Sequence, residues 1–177
     1  NVDATFSTRF MTNRGLQLKN EWRYLTEQHN GELQIEYLPN DTDTDENDHR
    51  YFYRFSHQGK LSENWSVTAD ISDISDNNYI VDLRSDFYNQ ADTHLYRQAG
   101  VSYFSEDVDF SMFIRDFTTI GNFDDNYRAL PEAKLGYSTA LNKWINFDVK
   151  SELAYFENRL ETRPDALRFH IEPSLSI

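Results

Sequence analysis

The chain has 177 residues, 15% of them aromatic, and a formal net charge of −13. That charge excludes a nucleic-acid partner, which demands a basic footprint, and electrostatic docking on an anionic membrane surface. The lack of cysteine excludes a disulfide framework, a thiolate metal site and a thiol nucleophile.

Mean hydropathy is −0.76, so the large rings belong to a chain too polar to bury them all in one interior. A sheet with an apolar outer face and a polar inner face, as in a transmembrane β-barrel, resolves that conflict. Apolar runs are short, of the Met112-Phe113-Ile114 kind, far below the ~18 residues of a spanning helix.

In chain order, period-two alternation predicts strands over roughly 2–12, 16–27 and 32–38. Asn13-Arg14-Gly15 reads as a three-residue loop in which Gly15 supplies a positive φ. The register then sets Phe10 against Leu18 and Phe6 against Trp22, with Arg9 against Lys19 and Ser7 against Glu21 on the other face. A four-residue turn, Gln28-His29-Asn30-Gly31, brings Tyr24 to Ile35, Trp22 to Tyr37 and Arg23 to Glu36. Phe6, Phe10, Leu18, Trp22, Tyr24 and Ile35 are therefore expected to face lipid. Arg9, Lys19, Glu21, Arg23 and Glu36 are expected to face a lumen.

The next connection carries Asp41, Asp43, Asp45, Glu46 and Asp48. Clustered carboxylates suit calcium, but Glu46 stands where an EF-hand loop needs Gly and Phe52 where it needs Glu. We read it as a solvated outer loop and expect no metal. Strands over roughly 50–59 and 65–72 follow, then a long connection holding Ser75, Asp76, Tyr79 and Asp82. Their spacing suits Asx-type turns.

Further strands are predicted over roughly 94–104, 107–117, 127–138, 144–158 and 167–176. Pro131 and Pro173 fall inside two of them, where a local bulge is the expected accommodation. His29, His49, His57, His94 and His170 lack the paired spacing of a metal site. No G-x-S-x-G elbow is present, so no catalytic residue and no cofactor are assigned.

Connections one, three, five, seven and nine are mostly long, and the intervening four are short. Bacterial outer-membrane barrels put short turns in the periplasm and long loops outside, which makes loop 39–49 extracellular. Trp65 and Trp144, each just after a short turn, then belong to the periplasmic aromatic girdle. A soluble β-sandwich has no reason to sort its loops this way.

The fold class is all-β: an antiparallel meander of about ten strands, residues 1–177 forming part of a large transmembrane outer-membrane β-barrel. The alternatives are a complete small barrel acting as a pore or adhesin, or a barrel hydrolase. The ending Ser174-Leu175-Ser176-Ile177 lacks a terminal aromatic, against a complete barrel.

Several segments resemble the LptD family of lipopolysaccharide-export barrels. They are Asn13-Arg14-Gly15 followed by Asn20-Glu21-Trp22-Arg23-Tyr24-Leu25, then Glu63-Asn64-Trp65, and Ser75-Asp76 with Tyr79 and Asp82. Tyr127-Arg128-Ala129 before Pro131-Glu132, and Arg168-Phe169-His170-Ile171-Glu172-Pro173, continue the match in order.

The resemblance covers an early portion of the family's barrel, without its N-terminal jelly roll, its later strands or its cysteines. It implies a place in the bacterial outer membrane, lipopolysaccharide as cargo, and contact with membrane lipid. As partners it implies the lipoprotein LptE and, during folding, the barrel-assembly machinery. The family's proline near the lateral seam has Thr8 at its matching position here, so that feature is not carried over.

Arg9, Lys19 and Arg23 form the candidate lumen-side contact with lipopolysaccharide phosphates, as cations gathered on one face of one hairpin. Glu21 and Glu36 are near enough in the expected register to neutralise Arg23 and Lys19 instead. Such cross-strand pairs are commonly structural.

Overall fold

The computed structural model describes residues 1–44, 49–87, 94–119, 127–158 and 164–177. The strands are β1 (Val2–Met11), β2 (Gly15–Leu25), β3 (His29–Leu38), β4 (Arg50–Lys60), β5 (Trp65–Ile74), β6 (His94–Phe104), β7 (Val108–Thr119), β8 (Tyr127–Ala140), β9 (Asn146–Asn158) and β10 (Ala166–Ser176). They form one antiparallel sheet in strict chain order, β1 through β10. Among the described residues one short helix, α1 (Tyr79–Leu83), interrupts the pattern in the fifth connection. Alternating apolar and polar positions could not reveal it, because five residues are too few to express a 3.6-residue period.

The chain divides into two compact units: Asn1–Gln58 with Ala69–Arg97 and Phe117–Asp125, and Gly59–Thr68 with Gln98–Asp116 and Asn126–Ile177. In the first, the expected faces hold but the expected registers do not. The β1–β2 ladder pairs Met11 with Gly15, Arg9 with Gln17, Ser7 with Lys19 and Phe6 with Asn20. The loop is one residue earlier than expected: Arg14 N–H donates to Met11 O at 3.2 Å, and Gly15 follows at φ 110°. Glycine is needed there, since a side chain at that φ is strained.

The second turn is shorter than expected. Thr26 N–H donates to the carbonyl of His29 at 2.8 Å, and His29 N–H returns to Thr26 Oγ1 at 2.9 Å. That clasp leaves only Glu27 and Gln28 between them and draws Asn30 and Gly31 into β3. Lys19 now faces Glu36, Arg23 faces Glu32, and Tyr24 faces Gly31. A Cβ on Gly31 would collide with the Tyr24 ring, so the aromatic covers the glycine's bare backbone.

Both errors are even, two and four residues, so no side chain changes face. Phe6 and Trp22 still meet, diagonally, with ring centroids 5.3 Å apart and edge-to-face at 82°.

The second unit shows the two faces most plainly. Residues directly opposite share a face, and the ladders align Phe110, Leu135, Ser151 and Ile171 in one row and Met112, Ala133, Leu153 and Phe169 in the next. The other face aligns Ser111, Lys134, Glu152 and His170, then Asp109, Gly136, Lys150 and Glu172. β8 carries one extra residue at Leu130-Pro131 against both neighbours. The bulge removes Pro131, which has no N–H, from the ladder. The bulge expected at Pro173 is absent, since Glu172, Pro173 and Ser174 continue an unbroken register with β9. A proline leaves a ladder unbroken where its nitrogen points away from the neighbouring strand.

Candidate functional site

In the first unit the polar face is roofed by the chain's own fifth connection. Leu38 on β3, Phe52 on β4, Ile74 on β5 and Leu95 on β6 form an apolar floor. Tyr79, Ile80 and Leu83 of the α1 turn close over it, all wholly or almost wholly buried. Burying each such side chain stabilises by about 1.5–3 kcal/mol, enough to hold a segment with so little regular structure. Arg84 ends the turn in the left-handed region, at φ 51°.

Around this core the polar groups are almost all matched. Tyr79 Oη donates to Glu36 Oε2 at 3.2 Å and accepts from Gln17 Nε2 at 3.0 Å. Burial, then the Glu36 charge, pushes the Tyr79 phenol well above its ordinary pKa. Asp86 N–H donates to the other Glu36 oxygen at 3.2 Å. Gln17 and Glu36 are both 0% exposed.

A second group of contacts clasps three connections together through Arg50, whose side chain is 1% exposed. It meets Asp41 at 2.9 Å, Asp76 at 2.8 Å and Asp82 at 3.1 Å. Arg14 shares Asp41 at 2.8 Å and holds Asp43 at 2.9 Å. Thr42 Oγ1 donates to Asn13 O at 2.8 Å. Burial raises the Asp41 pKa, but hydrogen bonds from Arg50, Asp43 N–H and Arg14 outweigh it and hold the carboxyl below its ordinary value. The Ser75 hydroxyl donates to Asp76 Oδ2 at 2.8 Å and Asn78 N–H to Asp76 Oδ1 at 3.1 Å. That is the Asx-type turn expected from their spacing.

The three expected contact cations stand on this polar face, each with a partner. Arg9 Nη1 donates to Leu83 O at 2.7 Å. Lys19, 5% exposed, bonds to Asp86 and lies 3.5 Å from Glu36. Arg23 pairs with Asp3 at 2.9 Å and Glu21 at 3.3 Å. Arg9 and Lys19 are not opposite each other as the expected register had them: Arg9 faces Gln17 and Lys19 faces Ser7.

Among the described residues no group of three or more His, Cys, Asp or Glu is arranged to hold a metal. Asp41 and Asp43 serve arginines, and Asp45, Glu46 and Asp48 lie outside the described residues. The structure does join two histidines that sequence spacing kept apart. His29 stacks on His57 with centroids 5.5 Å apart, and Tyr24 Oη bonds His57 Nδ1. The neighbouring strands β3 and β4 bring the two imidazoles together.

The family model described as LPS transport system D matches residues 48–177. An LPS-assembly protein LptD from Pseudoalteromonas atlantica is 55% identical over 175 residues, which are 99% of this chain. Proteins of that name from Idiomarina loihiensis and Vibrio vulnificus are 39% and 40% identical, over 99% and 100% of the chain. In each case the chain spans 23% of the relative's length.

Proposed function

Because this chain belongs to the LptD family, we propose that it is a section of wall in an outer-membrane barrel that inserts lipopolysaccharide into the outer leaflet. The role is transport and involves no chemical step. One observation carries this reading beyond family membership. In β7–β10 the apolar and polar residues separate onto opposite faces across four strands, the arrangement needed between hydrocarbon and a hydrated lumen.

The saccharide would travel along the polar face, with LptE and the barrel-assembly machinery as the protein's partners and membrane lipid against the apolar face. Trp65, 5.1 Å from Tyr103, and the exposed Trp144 would sit at the periplasmic interface. Contact of Arg9, Lys19 and Arg23 with passing phosphates belongs to the same proposal. Arg9 and Arg23 are exposed to such a visitor, whereas Lys19 lies under Asp86. Their existing partners favour a structural role beside it.

Depleting the full-length protein while following newly made lipopolysaccharide tests the transport reading. The expected result is loss of surface delivery with retention in the inner membrane. Undiminished delivery after depletion overturns it.

A further inference from the structure

The polar face of β7–β10 has a depression of about 430 Å³ over Gly136, rimmed by Asp109, Lys134, Lys150, Glu152 and Glu172. Its size falls within the roughly 300–1,000 Å³ of small-molecule sites. Gly136 makes the depression, and nothing in the backbone requires a glycine there. Its φ is not positive. A Cβ would meet only Asp109, at 3.6 and 3.7 Å, which is ordinary contact. Gly31 and Gly100 differ, since aromatic rings of Tyr24 and Phe113 occupy the space beside them. A mid-strand glycine weakens a strand and marks a bulge, a tight bend or the close approach of something else; the ladder is regular at Gly136.

The charges around the gap are unevenly matched. Lys134 is taken by Glu132 at 2.7 Å, Arg168 bonds Glu152, and His170 lies 3.8 Å from Glu172. Lys150 sits directly opposite Gly136 and, among the described residues, makes no ion pair. Lys150 faces Glu172 across the ladder without bonding to it; an ammonium so placed beside an open floor suits an anionic substituent, and the rim carboxylates of Asp109 and Glu172 suit hydroxyl donors. We propose that this depression is a resting site for one phosphorylated sugar of the saccharide in transit, its phosphate on Lys150 and its ring over Gly136. The assignment rests on the transport reading above and adds a defined contact point to it.

The test uses the full-length protein in cells, with a photoreactive phenylalanine analogue placed at Ser111, opposite Lys134 in the ladder. A second probe position, Ser7 on the polar face of β1, serves as reference. Both probes are expected to capture lipopolysaccharide. Gly136→Trp fills the depression and Lys150→Gln removes its charge. Each should lower capture at Ser111 about tenfold, the loss of one charge-assisted contact, and leave Ser7 unchanged. Barrel abundance and heat-dependent gel mobility are checked first. If Gly136→Trp does not assemble, Lys150→Gln alone decides. Undiminished capture at Ser111 in an assembled variant overturns the sugar site while Ser7 capture keeps the transport reading. No capture at either position in the unaltered protein overturns both.

Discussion

Arg50 grips Asp76 with two parallel hydrogen bonds, Nε to Oδ2 at 2.9 Å and Nη2 to Oδ1 at 2.8 Å. The pair ties the first residue of β4 to the start of the roofing segment, and Asp41 and Asp82 close on the same guanidinium. Arginine suits this place because its planar fork can serve several carboxylates at once.

Arg50→Ala would leave the buried Asp41, together with the partly exposed Asp76 and Asp82, short of their main cation. Breaking a buried pair from one side costs about 3–5 kcal/mol. We expect protease cutting within 75–87 in the full-length protein, where the native protein resists. Arg50→Lys should rescue only partly, since an ammonium cannot reproduce the fork. Equal resistance in native and Arg50→Ala protein would show that the apolar contacts of Tyr79, Ile80 and Leu83 suffice alone.

Tyr79→Phe removes the hydroxyl that joins Gln17 to Glu36. Two buried polar groups then lose a partner, at a cost of about 1–3 kcal/mol. The raised Tyr79 pKa also sets a pH dependence. An unfolded chain ionises tyrosine above its ordinary value of 10.0, while the folded chain keeps its proton. The contribution of Tyr79 is therefore whole below that pH and declines above it. Heat-dependent gel mobility between neutral and strongly alkaline pH should show a smaller decline in Tyr79→Phe.

Asp41 acts with the opposite sign. Its folded pKa is held below the ordinary 3.8, so its contribution is present above that value and is lost as pH falls through the folded value. Asp41→Asn should be less stable at neutral pH and lose less on acidification than the native protein. Parallel loss in both would remove Asp41 from the acid response.

The apolar face of β9 offers a direct test of the membrane reading. Leu153→Arg should cost about 2–4 kcal/mol if that position lies near the bilayer midplane. Ser174→Arg, on the polar face beside Asp148, should be close to neutral. Equal costs in assembled barrels would refute the assignment of faces.

Much of this fold is legible in the chain because period-two patterning and turn chemistry act locally. The ten strands fall within a few residues of their expected places, and the faces survive because both register slips are even. Register itself was not legible, because it turned on which residue closed each turn. Thr26 holding His29 is one hydroxyl choosing between turns that alternation rates equally. The roof over the polar face was less visible still. Alternation places Gln17 inward, but nothing local says that Tyr79, 62 residues later, will seal it. Ser75, Asp76, Tyr79 and Asp82 did stand out as a turn. Their partners Arg50, Gln17 and Glu36 lie on strands whose own pattern reads as ordinary lumen wall.

Orientation in the membrane is the last prediction, and it follows from how the connections differ. The odd-numbered ones include 39–49 and 75–93, and in the first unit they are built to be held: Arg14, Asp41, Arg50, Asp76 and Asp82 join three of them. The even-numbered ones are short turns closed by their own backbone, as where Leu61 N–H meets Trp65 O at 2.8 Å and Leu141 N–H meets Ile145 O at 2.9 Å. Tight turns suit the periplasmic side, and long elaborated loops suit the cell surface. Asp45→Cys, in the third connection, should label in intact cells with a membrane-impermeant thiol reagent. Lys143→Cys, in the eighth, should label only after the outer membrane is permeabilised. The chain itself has no cysteine, and the full-length background must first be shown silent to the reagent. Labelling of Lys143→Cys alone in intact cells would invert the barrel. Trp65 and Trp144 would then stand at the outer interface, and the clasped connections would face the periplasm.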